Sequence, residues 1–272
     1  MTAKPPPEAR APTSRSGLGA RLAQFAEVVA LGAGPLDRAA IAASYLATRL
    51  GLAVPVRLSV CGAVVPVVLR GGADRTVMKE MLVDAEYAAV GRPSPPVIVD
   101  VGANVGFSSL YFASRFPEAV VHALEPAPDA YRQLVENTRS NPRIRPHNLA
   151  LGSADGEIDL YVGAMHFGSS TRARGKPGER AVRVPVRTLD GFLAGEGIEG
   201  VGLLKIDVEG HEAEVLRGLS DPSRIGELVG ELHFDLMEER LDWFTDRLDG
   251  FSVETAPSLP QRCILHAVRR RP

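Results

Sequence analysis

The stretch VIVDVGANVGF, residues 97–107, decides the fold: an apolar strand closes on an acid, Asp100, and is followed by a turn on Gly102 and Gly106 and the start of a helix. Glycine lets a backbone turn tightly and approach a ligand, and the helix that follows presents unpaired N–H groups at that point. In an open α/β sheet, ligands sit in the crevice outside the strand carboxyl ends, where the strand order switches. The turn is therefore expected to carry a cofactor. Twenty-five positions after Asp100, Glu125 closes a second strand in His-Ala-Leu-Glu-Pro, where an acid can accept both hydroxyls of a ribose. The turn reads D-x-G-x-N-x-G rather than the dinucleotide fingerprint G-x-G-x-x-G. A carboxylate leading into it is poor company for a pyrophosphate and suits a cationic amino-acid moiety. That favours S-adenosylmethionine over NAD.

Working outward, strand-like runs at 97–99, 120–124, 143–149, 203–206 and 227–233 alternate with helical segments near 107–115, 127–139, 211–219 and 236–248. Such alternation predicts a mostly parallel sheet with crossover helices. Residues 157–162 and 181–187 read as extra strands around a Gly-, Ser- and Arg-rich loop, and 251–256 with 262–269 as a terminal antiparallel pair. Upstream, Leu18, Leu22, Phe25 and Val29, then Ile41, Tyr45, Leu46 and Leu50, mark two helices. Runs at 54–61 and 63–70 joined across Gly62 predict a hairpin, and a helix capped by Asp74 follows. Nothing before Pro96 reads as chemistry. The expected organisation is a disordered Pro-rich tail over 1–16, helices and a small hairpin over 17–92, and a cofactor-binding domain over 93–272.

The chain has 272 residues, 45% of them hydrophobic and 24% charged, the balance of a folded enzyme-sized body. Its net charge of −2 argues against a nucleic-acid-binding surface. Two cysteines, Cys61 and Cys263, are too few for a disulfide scaffold. No apolar run is long enough to span a bilayer, and the start of the chain lacks the apolar segment of a secretory signal, so a cytoplasmic location without a membrane partner is expected.

The runs VIVDVGANVGFSSLYFA, HALEP, HNLALGSADGEIDLYV, RTLDGFL and LLKIDVEGHEAEVL, with the upstream GADRTVMKEMLVDAEY, resemble the FkbM-type S-adenosylmethionine-dependent methyltransferases over roughly residues 70 to 235. The resemblance implies a class I methyltransferase (Rossmann-like) fold, here with an N-terminal helical extension, and O-methylation of a small molecule, natural product or sugar. It places Asp100, Gly102, Asn104 and Gly106 at the methionine portion of the cofactor and Glu125 at the ribose. It also puts Asn148 and Ala150, at the end of the third strand, near the adenine.

Methyl transfer to oxygen is an in-line displacement, so the protein must position the nucleophile and remove its proton. Asp207 and His233 end the fourth and fifth strands and should edge the same crevice. Histidine titrates near neutrality, as a general base should. Glu209 and Glu212 are either functional or simply favourable carboxylates at a helix start. His211, between two acids, reads as exposed, and His122, inside the second strand, as a satisfied core histidine. Asp207, Glu231, His233 and Asp235 could instead hold a Mg-type divalent ion, although the spacing alone does not establish a metal. Between Gly163 and Arg187, Arg172, Arg174, Lys176, Arg180, Arg183 and Arg187 face one acid, Glu179, giving +5 locally. The segment is either a lid that attracts an anionic acceptor or a solvated basic loop. Ser169, Ser170 and Thr171 within it could line the pocket, and the two N-terminal helices could cover the acceptor or form a homodimer contact. Two other readings stay open: a noncatalytic module binding an adenosine cofactor, and an NAD-linked oxidoreductase.

Overall fold

The structure is a computed structural model that describes residues 18–84, 87, 90–91, 94–163, 170–171, 175 and 178–270. The expected tail over 1–16, Ser169, Arg172, Arg174 and Lys176 lie outside the described residues.

The extension comprises α1 (Leu18–Ala30), α2 (Pro35–Ala47), a single 3-10 turn, a hairpin of β1 (Val54–Val60) and β2 (Ala63–Leu69), and α3 (Gly72–Leu82). Alternate hairpin residues are buried, as period-2 patterning demands. Its turn uses positive φ at Cys61 (48°) and Gly62 (84°), the handedness that matches strand twist. Asp74 is not the N-cap of α3. It lies in the first turn, where its carboxylate accepts the amides of Arg70 and Gly71 at 2.5 and 3.1 Å.

The main body continues with β3 (Val97–Val101), α4 (Phe107–Arg115), β4 (Val120–Leu124), α5 (Pro128–Thr138), β5 (Ile144–His147), β6 (Ala150–Leu151), β7 (Gly156–Val162), β8 (Arg180–Arg187), α6 (Leu189–Gly195), β9 (Val201–Ile206), α7 (Glu212–Arg217), β10 (Ile225–His233), α8 (Leu241–Arg247), β11 (Phe251–Leu259) and β12 (Arg262–Arg269). Seven strands form one sheet in the order β11-β12-β10-β9-β3-β4-β5. β3, β4, β5, β9 and β10 run parallel, and β12 pairs antiparallel with both β10 and β11. This is a mostly parallel α/β sheet with a terminal antiparallel pair, as expected from the sequence. Strand order reverses at β3, which lies between β4 and β9, so the crevice opens beyond Asp100.

Alternation along the strands divides the core. Ile98, Val121, Ala123 and Leu203 face α4, α5 and the extension, while Val99, Val101, Leu124, Leu204 and Ile206 face α6, α7 and α8. The first cluster also contains Val28, Ile41, Leu58 and Met78, so the extension shares its core with the main body. Buried polar side chains fix the junction: Asn137 accepts the amide of Val68 and donates to the carbonyl of Val105, and Gln133 donates to the carbonyl of Val68.

Several boundaries differ from the sequence expectation. β5 stops at His147, so Ala150 belongs to a separate three-stranded sheet, where it pairs with Val186 of β8. α7 ends at Arg217 before Gly218, and α8 begins only at Leu241, because Arg240 donates to the carbonyls of Phe234 and Met237 and holds the intervening turn. α6, absent from the expectation, is capped by Thr188, whose hydroxyl accepts the amide of Gly191 at 3.1 Å. No described helix is long and apolar enough to cross a membrane.

Candidate functional site

The turn after β3 and the acid ending β4 meet. Glu125 Oε2 accepts the amide of Asn104 at 2.9 Å, and Oε1 accepts that of Ala127 at 2.9 Å. Burial pushes this carboxyl up to about 7 despite the two amides and the nearby Lys205 ammonium. Asn148 donates to the carbonyls of Glu125 and Pro126 at 2.9 and 3.0 Å, fixing the same corner from the end of β5. The Ala150 side chain is buried in a small apolar cluster with Ala127 and Ala130.

Three residues of the turn have positive φ: Gly102 (81°), Asn104 (50°) and Gly106 (96°). At Gly102 the requirement is absolute in space as well as angle, since a Cβ there would lie 1.9 Å from the Asp207 carbonyl oxygen. The bare backbone of Gly102 thus lets the ends of β3 and β9 close on each other.

Asp100 is fully buried, beneath the turn rather than at its surface. Its Oδ2 accepts the Ser108 and Ser109 hydroxyls at 2.7 and 2.6 Å, and its Oδ1 lies 3.2 Å from Lys205 Nζ. Lys205, in register with Asp100 on β9, donates to the Gly102 carbonyl at 2.8 Å and lies 3.7 Å from Asp207 Oδ2. The sequence reading passed over Lys205. Its signal was a lysine inside the apolar run Leu-Leu-Lys-Ile, where only a partnered ammonium can be buried.

Asp207 is one-third exposed at the crevice edge, and desolvation raises its carboxyl against the pull of Lys205 and His233. His233 corrects the expectation of a neutral base. It is fully buried, with Nδ1 2.7 Å from Glu212 Oε1 and Nε2 3.2 Å from Glu231 Oε2. Burial opposes its charge, but these carboxylates win and hold it at about 10. As an imidazolium at neutral pH it has no lone pair with which to take a proton. Glu212, itself buried, also accepts the amide of Gly210, so it is a structural anchor. Glu209, at φ 52°, lies 3.7 Å from His233 Nε2 and 3.9 Å from Arg262.

One ligand atom each of Asp207, Glu231 and His233 lie within 4.8 Å of one another, a spacing that could hold a cation. Arg262 already lies beside one member of this set, 3.8 Å from Glu231, and pairs with Asp235 at 3.3 Å. α3 contributes a further acid to this region: Glu80 is pushed up to about 7, first by burial and then by Asp207 and Glu231. The sequence reading placed no chemistry on that helix. His211 is half-buried rather than exposed, 3.3 Å from the Thr171 hydroxyl. Ser170 donates to the Glu209 carbonyl at 3.3 Å, bringing part of the loop to the crevice. Arg180 and Arg183 form exposed ion pairs with Asp129 and Glu157.

Residues 100–251 match the methyltransferase FkbM domain. The chain is 31% identical over 231 residues to methyltransferase sdnD of Sordaria araneosa, covering 66% of this chain and 88% of that protein. It is 30% identical over 199 residues to 31-O-demethyl-FK506 methyltransferase FkbM of Streptomyces tacrolimicus, covering 61% and 76%. Identity to hexuronic acid methyltransferase AglP of Haloferax volcanii is 27% over 167 residues, covering 61% and 64%.

Proposed function

The chain belongs to the FkbM methyltransferase family, and from that membership and the site geometry we infer that it methylates an oxygen, hydroxyl or carboxyl, of a small-molecule, natural-product or sugar acceptor, using S-adenosylmethionine. The observation that carries this reading is the Asn104 amide on the Glu125 carboxylate, which joins the glycine turn to the ribose acid on one sheet edge. The donor set fits such a cofactor: a backbone cradle that tolerates no Cβ at Gly102, and a carboxylate with lone pairs remaining after two amides. S-adenosylmethionine bound there supplies a methyl group made electrophilic by its sulfonium.

In this reading the backbone of Gly102, Asn104 and Gly106 receives the methionine portion, Glu125 accepts the ribose hydroxyls, and Asn148 and Ala150 flank the adenine, Ala150 only as buried floor. Asp100 acts through Lys205, which holds the Gly102 carbonyl in place. Asp207 takes the acceptor proton, its raised carboxyl pKa strengthening it as a base. His233 is a positioning residue that keeps Glu231 and Glu209 oriented along the crevice. With these carboxylates at the edge and Arg180 and Arg183 engaged elsewhere, a hydroxylated acceptor fits better than a multiply anionic one. His233 and Arg262 supply the cationic partners of the cluster, so the proposed mechanism needs no divalent ion.

Glu125→Ala is expected to weaken S-adenosylhomocysteine binding about tenfold or more, measured by calorimetry, since two hydroxyl contacts to a charged acceptor are lost. Glu125→Gln, which keeps the shape, separates this from misfolding. The ionised carboxylate is the form that accepts both hydroxyls, so affinity should rise with pH through about 7 in the native protein and stay flat in Glu125→Gln. A flat native profile would place the ribose elsewhere. Asp207→Asn should lower turnover of labelled methyl roughly 10²- to 10⁴-fold while leaving cofactor affinity intact. Undiminished turnover would remove the base role from Asp207.

A further inference from the structure

A second cluster lies on the opposite face of the sheet from Asp100 and Lys205. His122 Nδ1 is 3.2 Å from His147 Nε2 and 3.8 Å from Glu196 Oε2, and the three ligand atoms lie within 4.8 Å of one another. We propose that these three side chains form a binding site for a divalent transition metal of the zinc type, distinct from the methyl-transfer crevice.

The chemistry of the set favours that class of ion. Two imidazoles with one carboxylate suit zinc and its neighbours rather than magnesium or calcium, which prefer all-oxygen shells. Bonds of 2.0–2.1 Å in a tetrahedral site put ligand atoms about 3.3 Å apart, close to the 3.2 Å between the two ring nitrogens, with the carboxylate oxygen at 3.8 Å needing only a small approach. Three different elements supply the ligands: β4, the end of β5, and the residue that closes α6. The rings are nearly parallel, 13° apart, and Phe192 of α6 packs edge-on against both, at 5.8 and 5.0 Å, which restrains their orientation. His122 is buried, whereas the Glu196 side chain is one-third exposed, so the site has a closed inner side and an open outer one. That leaves a path for the ion from solvent. Arg145, the cation nearest in sequence, is exposed, where water screens its charge.

A simple ring-to-ring hydrogen bond would satisfy the two histidines alone. It would not require a carboxylate from a third element to converge on the same nitrogen. The position also has a consequence for the fold. The His147 carbonyl accepts the Glu125 amide at 3.0 Å, and the next residue, Asn148, holds the Glu125 and Pro126 carbonyls. An ion at His147 would therefore brace the corner that presents Glu125.

The test uses the full chain, stripped with a chelator and dialysed, then titrated with zinc alone by calorimetry and with cobalt(II) for its visible absorption. One equivalent should bind with a nitrogen-ligand cobalt spectrum, and saturating zinc should raise Tm by roughly 5 °C. His147→Gln and the surface change Glu196→Gln should each weaken binding roughly tenfold or more, while Glu231→Gln should leave it unchanged. Glu196→Gln touches no core packing, so its result stands even if a histidine variant fails to fold. No binding by the stripped native chain, binding untouched by Glu196→Gln, or binding lost only in Glu231→Gln would each overturn the proposal, the last by moving the ion to the acidic crevice.

Discussion

Gly102→Ala is expected to destabilise the protein by about 3 kcal/mol or more and to abolish S-adenosylhomocysteine binding. Two costs combine. At φ 81° an L side chain is strained by about 1–2 kcal/mol on its own. The new methyl would also stand 1.9 Å from the Asp207 carbonyl oxygen and 2.9 Å from its carbon, and backbone cannot yield as a flexible side chain does. Relief requires β3 and β9 to separate at their carboxyl ends, which moves the turn away from Glu125 and Asp207 away from the crevice. Gly197→Ala is the control, because Gly197 has φ 69° with nothing within 4 Å of a built Cβ. It should show the angular strain alone and leave cofactor affinity unchanged. Urea unfolding of both variants, with calorimetry, separates the terms, and equal losses at the two positions would refute the close approach.

That close approach was only half legible in the sequence. Gly102, Gly106 and the acids 100 and 125 marked a tight turn at a strand end because glycine and strand-end acids have local, one-dimensional signatures. What the turn rests on is two-dimensional. Asp100 read as a carboxylate facing the ligand, yet it is buried, because Ser108, Ser109 and Lys205 converge on it from α4 and β9. His233 read as a base since an isolated imidazole titrates near neutrality, but Glu212 from α7 and Glu231 from its own strand decide its charge. Glu80 carried no signal at all: on α3 it is one acid among charged helix residues until packing sets it near Asp207 and Glu231. Element ends failed for a related reason. β5 yields Ala150 to a second sheet only because β8, some thirty-six residues later, offers it a partner at Val186.

The second large effect belongs to Lys205, whose one local signal was its place inside the apolar run Leu-Leu-Lys-Ile. Lys205→Met keeps the length and most of the apolar stem but leaves Asp100, with no exposed surface, lacking its only cation within salt-bridge reach among the described residues. Removing one partner of a buried ion pair costs about 3–5 kcal/mol, because the survivor stays charged in a medium that cannot solvate it. Joining Asp100→Asn to Lys205→Met removes the stranded charge while the amide oxygen can still accept the Ser108 and Ser109 hydroxyls. The double variant should therefore be more stable than Lys205→Met alone, and the full cycle with Asp100→Asn alone and the native chain measures the pair. Recovery should be incomplete by about 1 kcal/mol, since the Gly102 carbonyl has also lost the lysine's hydrogen bond. That residue of the loss is the part relevant to function: the turn would no longer be held from below, so cofactor affinity should remain reduced even where folding has recovered. A double variant that regains stability and affinity together would mean that Lys205 serves only to neutralise Asp100, and that the turn keeps its shape unaided.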